Sequence, residues 1–123
     1  MNWQYGVWAL CVAGWTVSLL VPLPKVDLPD DHPLMVTKFV VSKVLHVTVY
    51  AALAVLTGWL RAPARARLLL LFFLMAHAAV TEHLQTYIPR RTGSARDVCV
   101  DHLGVLAGLA LSWRWWARGL DRA

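Results

Sequence analysis

Four apolar stretches, each close to the length of a bilayer crossing, limit what this chain can fold into: Tyr5–Val21, Phe39–Leu60, Leu68–Ile88 and Val98–Trp116. A helix of about 20 apolar residues crosses the roughly 30 Å of a membrane's hydrocarbon core. Tyr5–Val21 carries no charge, and Phe39–Leu60 is interrupted only by Lys43 and His46. The third stretch opens as LLLLFFLM and turns polar at its end; the fourth follows Asp97. The pattern predicts an all-α membrane protein, a single-domain four-transmembrane-helix bundle with helices at about 5–22, 37–60, 68–88 and 96–116. Composition agrees: with 59% hydrophobic residues, a chain of this size is too apolar to cover itself with a wet surface. The first stretch reads as a helix rather than a cleaved signal, because no Lys or Arg precedes it and VPLPKV is not a small-residue cleavage site.

Charge sets the expected topology. Arg61, Arg65 and Arg67 lie between the second and third helices, and Arg114, Arg118 and Arg122 follow the fourth. An even number of helices puts both termini on one side, and the positive-inside rule makes that side the cytoplasm, against Lys25, Lys38, Arg90, Arg91 and Arg96 outside. Trp3, Trp59, Trp113, Trp115 and Trp116 then fall at one bilayer face as an aromatic belt. The connection PLPKVDLPDDHPLMV, Pro22–Val36, holds four prolines and three acids and is expected to be irregular and water-facing. A net charge of +5 fits contact with anionic lipid head groups. No nucleic-acid partner is expected, since the chain has no basic helix or compact basic domain. Cys11 and Cys99 sit in different apolar stretches and suggest no disulfide framework.

This topology gathers the remaining polar residues into one layer. Lys43, His46 and Tyr50 are spaced i, i+3, i+7 on one face of the second helix. Glu82 and Gln85 share a face of the third, with Glu82 about two turns inside its outer end. Ser94-Ala95-Arg96-Asp97 matches a capping box at the start of the fourth helix, which alone accounts for Asp97. It does not account for Asp101, one turn deeper. Gly104, Gly108 and Ser112 continue that face, and Gly104/Gly108 form a GxxxG step that lets another helix approach closely. Charges inside a membrane are costly and usually functional. The structural alternative is pairing, with Lys43 or Arg91 neutralising Glu82. His77 and His83 fall outside the layer and read as structural.

Two blocks carry a resemblance: Lys43-x-x-His46-x-x-x-Tyr50, and Glu82-x-x-Gln85 followed by Pro89-x-Arg91, Asp97, position 101 and Gly104. In these the sequence resembles the VanZ-like family of small bacterial membrane proteins, named for low-level resistance to the glycopeptide teicoplanin. The family's Pro-Gly turn is Pro89-Arg90 here, with Gly93 available for the bend. The family's Asn is Asp101, whose charge so close to Asp97 requires a cation, with Lys43, Arg91 and Arg96 as candidates. The resemblance implies a place in the bacterial cytoplasmic membrane, at its outer face, near cell-wall precursors or antibiotics. It implies no reaction.

The expected function is therefore an outward-facing charged pocket that binds an anionic lipid head group, a lipid-linked cell-wall precursor or a glycopeptide. Lys43, Tyr50, Gln85, Arg91 and Asp101 are the candidate substrate-binding residues, with the cations holding phosphate or carboxylate. Glu82, His46 and Asp97 are the candidate acid and base groups of a hydrolase or transferase. A non-catalytic structural or sequestering subunit needs the same parts. A small multidrug transporter fits poorly, as the first helix has no ionisable residue. No cofactor and no metal is expected: His46, Glu82, Asp97, Asp101 and His102 are ligand types, but no local ligand spacing joins them, and Lys43 and Arg91 oppose a cation.

Overall fold

The computed structural model describes residues 2–25 and 27–120. All its elements are helices: α1 (Trp3–Leu20), α2 (Pro33–Trp59), α3 (Ala64–Gln85), α4 (Ala95–Leu111) and α5 (Trp113–Leu120). Helices α1 to α4 run up and down, and side chains tie their ends together. At one end Gln4 donates to the Trp59 carbonyl (3.3 Å) and accepts from the Arg61 N–H (3.0 Å). There Trp3 meets Trp59 edge-on at 5.2 Å. At the other end Gln85 donates to the Leu19 carbonyl (3.2 Å). These are the tryptophan end and the charged end.

The helix boundaries differ from the apolar runs for local reasons. α2 starts at Pro33 rather than near 37, shortening the preceding loop. Proline suits the first helical position because it lacks an N–H that would go unpaired there, and His32 Nδ1 accepts the Leu34 N–H (3.2 Å). α3 stops at Gln85 instead of 88, where the Thr86 hydroxyl turns onto the His83 carbonyl (2.6 Å). Glu82 therefore lies in the last turn of α3, not two turns inside it. The fourth apolar stretch is two helices. Ser112 leaves helical geometry with its side chain donating to the Gly108 carbonyl (2.7 Å), a local bond that competes with the ladder. The chain restarts as α5, whose Trp115 carbonyl is taken by Arg67 Nη1 (3.0 Å).

Among the described residues two helices, α2 and α3, are long and apolar enough to cross a membrane. The core helix of a soluble protein passes the same test but is mostly buried; only 22% of the most apolar window of α2 is buried here. Leu69 and Phe72 point outward at 69% and 66% exposure, while Asp101 and Glu82 are buried at 0% and 2%. Apolar outside and charged inside is the reverse of a soluble domain, and it suits hydrocarbon surroundings.

α4 packs most extensively along α2. A Cβ on Gly104 would stand 2.7 Å from the Val47 carbonyl oxygen, and one on Gly108 would strike the Ala51 carbonyl oxygen and come within 2.7 Å of Ala54 Cβ. The GxxxG step thus seats α4 on the backbone of α2. The tryptophans divide: Trp3, Trp113 and Trp115 are exposed, but Trp8, Trp15 and Trp116 are buried, so Trp116 leaves the expected belt. Trp8 Nε1 donates to Thr57 Oγ1 (2.9 Å), giving its N–H a partner inside the bundle.

Candidate functional site

α2 and α4 both run inward from the charged end, so their polar residues meet as rungs. Lys43 Nζ pairs with Asp97 Oδ1 on the first rung. On the second, His46 Nδ1 lies 2.9 Å from Asp101 Oδ1. The i, i+3 step on α2 and the i, i+4 step on α4 stay in register because Gly104 and Gly108 hold the backbones together below them.

α3 adds Glu82 from the side. Its Oε1 lies 3.7 Å from His46 Nδ1, and its Oε2 accepts the Ser94 N–H (3.2 Å). Ser94 caps α4 as expected, accepting the Asp97 N–H (3.2 Å). The reciprocal bond of the capping box, however, comes from Glu82 on another helix, which leaves the Asp97 carboxylate to Lys43. Glu82 thus pairs with His46 rather than with Lys43 or Arg91, and Asp101 takes His46 rather than Lys43, Arg91 or Arg96.

Among the described residues Arg91 meets no carboxylate. Its Nη2 and Nε donate to the Ser18 (2.6 Å) and Val21 (3.1 Å) carbonyls, satisfying the open end of α1. Burial draws its pKa down, and Glu82 opposes the shift. Arg90 occupies the left-handed region at φ 62°, where the family pattern has glycine, and its Nε donates to the Leu23 carbonyl. The bend is therefore made at Arg90 itself. Gly93 serves a different need: a Cβ there would run into the Glu82 carbonyl.

A cavity of about 320 Å³ opens at this end. Lys38, Lys43, Arg90, Arg91, His46 and Asp97 line it, with Gln85 at its edge. Glu82 and Asp101 lie behind His46 and do not line it. Tyr50 is deeper still, fully buried, with its hydroxyl 3.0 Å from His77 Nδ1. His77 also meets Thr16 Oγ1 (2.8 Å) through Nε2, so it has two partners where the sequence offered none. Of the expected site residues, five line the cavity, two form a layer beneath it, and Tyr50 belongs to the core. Lys38 and Arg90 were missed as cavity residues. Lys38 stands one helical turn before Ser42, beside Lys43, and that spacing was the available signal.

Residues 5–117 match the VanZ/LLP1 family. The chain belongs to this family. No curated protein and no solved structure matches it. The family's two motif blocks, read residue by residue, converge on one end of the helical bundle, apart from Tyr50 and Gly104, which meet deeper along α2 and α4.

A larger cavity, about 840 Å³, opens at the tryptophan end. Its central cation is Arg67, which the sequence placed among exposed loop arginines. Arg67 is 4% exposed, donates to the Gly58 and Trp115 carbonyls (3.0 Å each), and lies over the Trp116 ring at 5.1 Å. All these partners are internal, so Arg67 fastens α5 to α2 and α3. The smaller cavity is the better candidate despite its size, because the buried acids Glu82 and Asp101 and the buried His46 converge beside it.

Below that cavity His46, Glu82 and Asp101 offer ligand atoms that all lie within 4.8 Å of one another, on three helices and all buried. The other two ligand types drop out: Asp97 is taken by Lys43, and His102 by the Met75 carbonyl (3.0 Å). A carboxylate–imidazole–carboxylate arrangement can hold a proton or a cation.

Proposed function

We propose that this VanZ/LLP1 protein is an integral membrane protein whose charged end recognises an anionic head group at the cell envelope, that of a lipid, a lipid-linked cell-wall precursor or a glycopeptide. The observation that carries this reading is the cavity lined by four cations, Lys38, Lys43, Arg90 and Arg91, against one acid, Asp97. An anion entering it gains charge-assisted hydrogen bonds in a half-buried setting. α2 supports the placement: 27 residues make about 40 Å of helix, longer than the roughly 30 Å hydrocarbon core. The excess of about 10 Å lets the turn bearing Lys38 reach the head-group layer, and Lys43, about 15 Å from the start of α2, reaches up toward it by its long side chain. All of α1 to α4 cross the membrane in this reading, and both termini face the cytoplasm of a bacterial inner membrane, which directs the cavity outward. Head-group binding is the core of the proposal; modification of the bound group, with His46 at the cavity wall as acid or base, is its catalytic extension.

Native mass spectrometry of protein released from nanodiscs tests the binding. Phosphatidylglycerol should be retained over phosphatidylcholine. The Lys43→Gln/Arg90→Gln double variant should lose that preference, and Arg61→Gln/Arg118→Gln at the tryptophan end should keep it. The opposite pattern removes the charged end as the recognition site.

A further inference from the structure

We infer that His46, Glu82 and Asp101 form a binding site for one divalent transition-metal ion, of which Zn²⁺ is the best fit. The inference stands on geometry and charge, independently of any lipid head group. His46 Nδ1 is 2.9 Å from Asp101 Oδ1 and 3.7 Å from Glu82 Oε1. Zinc bonds of about 2.0–2.2 Å to nitrogen and carboxylate oxygen place neighbouring ligands roughly 3.4 Å apart in a tetrahedron. The three side chains therefore need little movement to share an ion. One imidazole with two carboxylates suits zinc or manganese, whereas magnesium and calcium favour all-oxygen surroundings.

The second observation is a pair of orphaned oxygens. Glu82 Oε1 and Asp101 Oδ2 are buried without a hydrogen-bond partner among the described residues, in side chains 2% and 0% exposed. Buried carboxylate oxygens rarely go unpaired, because desolvating them is costly. A protonated His46 can donate Nδ1–H to Asp101 Oδ1, but that single donor leaves Glu82 Oε1 and Asp101 Oδ2 as they are. A metal ion serves them together.

Charge balance points the same way. Two carboxylates with a neutral imidazole carry two negative charges, which a divalent ion cancels. The cations that opposed a metal in the sequence are engaged elsewhere, Lys43 with Asp97 and Arg91 with the carbonyls of Ser18 and Val21. The Trp15 ring stands edge-on to His46 at 5.3 Å, closing the apolar side of the site. His46 also lines the anion cavity, so an ion here lies at that cavity's floor.

The test uses the full chain in detergent, stripped with a chelator and carrying Cys11→Ser and Cys99→Ser so that thiols cannot bind zinc. Zn²⁺ titration followed by desalting and elemental analysis should give one zinc per chain. Asp101→Asn keeps the size of the side chain and an acceptor for His46. It and Glu82→Gln should each weaken zinc binding by about tenfold or more, while His102→Ala leaves it unchanged. X-ray absorption of the zinc-loaded parent protein should show one imidazole with oxygen ligands, a readout that holds even where a variant fails to fold. No stoichiometric zinc, binding untouched by Asp101→Asn in folded protein, or a spectrum with several imidazoles would overturn the site and leave the triad as a proton-sharing ion pair.

Discussion

Glycine-to-alanine substitutions at four helical positions separate packing from propensity, and the signs should split. In a helix interior alanine is favoured over glycine by about 0.5–1 kcal/mol. Gly6 and Gly14 of α1 have nothing within 4 Å of a built Cβ, so Gly14→Ala should show that gain undiminished. At Gly108 the same methyl meets the Ala51 carbonyl oxygen and lies 2.7 Å from Ala54 Cβ; at Gly104 it lies 2.7 Å from the Val47 oxygen and 3.1 Å from Val47 Cα. All of these are backbone or Cβ atoms, which cannot swing aside, so α4 has to move off α2. Overpacking of this kind costs about 1–3 kcal/mol. Subtracting the propensity gain leaves a net loss of about 0–2.5 kcal/mol, larger at Gly108. The shift also pulls Asp97 and Asp101 away from Lys43 and His46, which drives the loss to the upper end. Unfolding by SDS titration from dodecylmaltoside, followed by tryptophan fluorescence, measures both signs. Gly108→Ala as stable as Gly14→Ala would refute the close seating of α4 on α2, and with it the register that aligns the two rungs.

Three further outcomes follow from named contacts. In a double-mutant cycle, Lys43→Met and Asp97→Asn should couple by about 0.5–3 kcal/mol, since each single change leaves the other group unpaired; additivity would mean the pair does not form. Arg90→Gly should relieve about 1–2 kcal/mol of left-handed backbone strain while lowering retention of anionic lipid; a marked loss of stability would show that its bond to Leu23 outweighs the strain. Arg67→Ala should cost about 1–3 kcal/mol by leaving the Gly58 carbonyl without a donor and releasing α5 at the Trp115 carbonyl, and limited proteolysis should then cleave near Ser112; unchanged proteolysis would detach Arg67 from α5.

Orientation is checked by membrane-impermeant thiol labelling in a background lacking Cys11 and Cys99. Asp30→Cys should react from outside the cell and Pro63→Cys should not. The reverse would turn the charged end toward the cytoplasm.

The sequence made the apolar runs and the polar face of each helix legible, because periodicity and depth are local properties. Lys43 and His46 could be placed on one face, and Ser94 identified as a cap, without any knowledge of partners. Pairing was not legible. Glu82 crosses to His46 and the Ser94 N–H, and Arg91 turns to backbone carbonyls, choices set by three helices at once. The break at Ser112 was hidden because LALSWRWW holds neither glycine nor proline to mark an end, and only the Ser112 side chain and the buried Arg67 end the helix there. Arg67 itself looked like a loop cation because its partners, the Gly58 and Trp115 carbonyls, are backbone groups that a sequence pattern does not display.

The head-group site is most directly tested by ³¹P-dephased ¹⁵N solid-state NMR of lysine-labelled protein in phosphatidylglycerol nanodiscs. The chain has three lysines, Lys25, Lys38 and Lys43, all on the α1–α2 loop or the first turns of α2, at the charged end. The account predicts a lysine ammonium signal strongly dephased by lipid phosphorus and lost in Lys43→Gln. A dephased signal unaffected by Lys43→Gln, with arginine-labelled protein showing phosphorus contact only at Arg61 and Arg118, would contradict it.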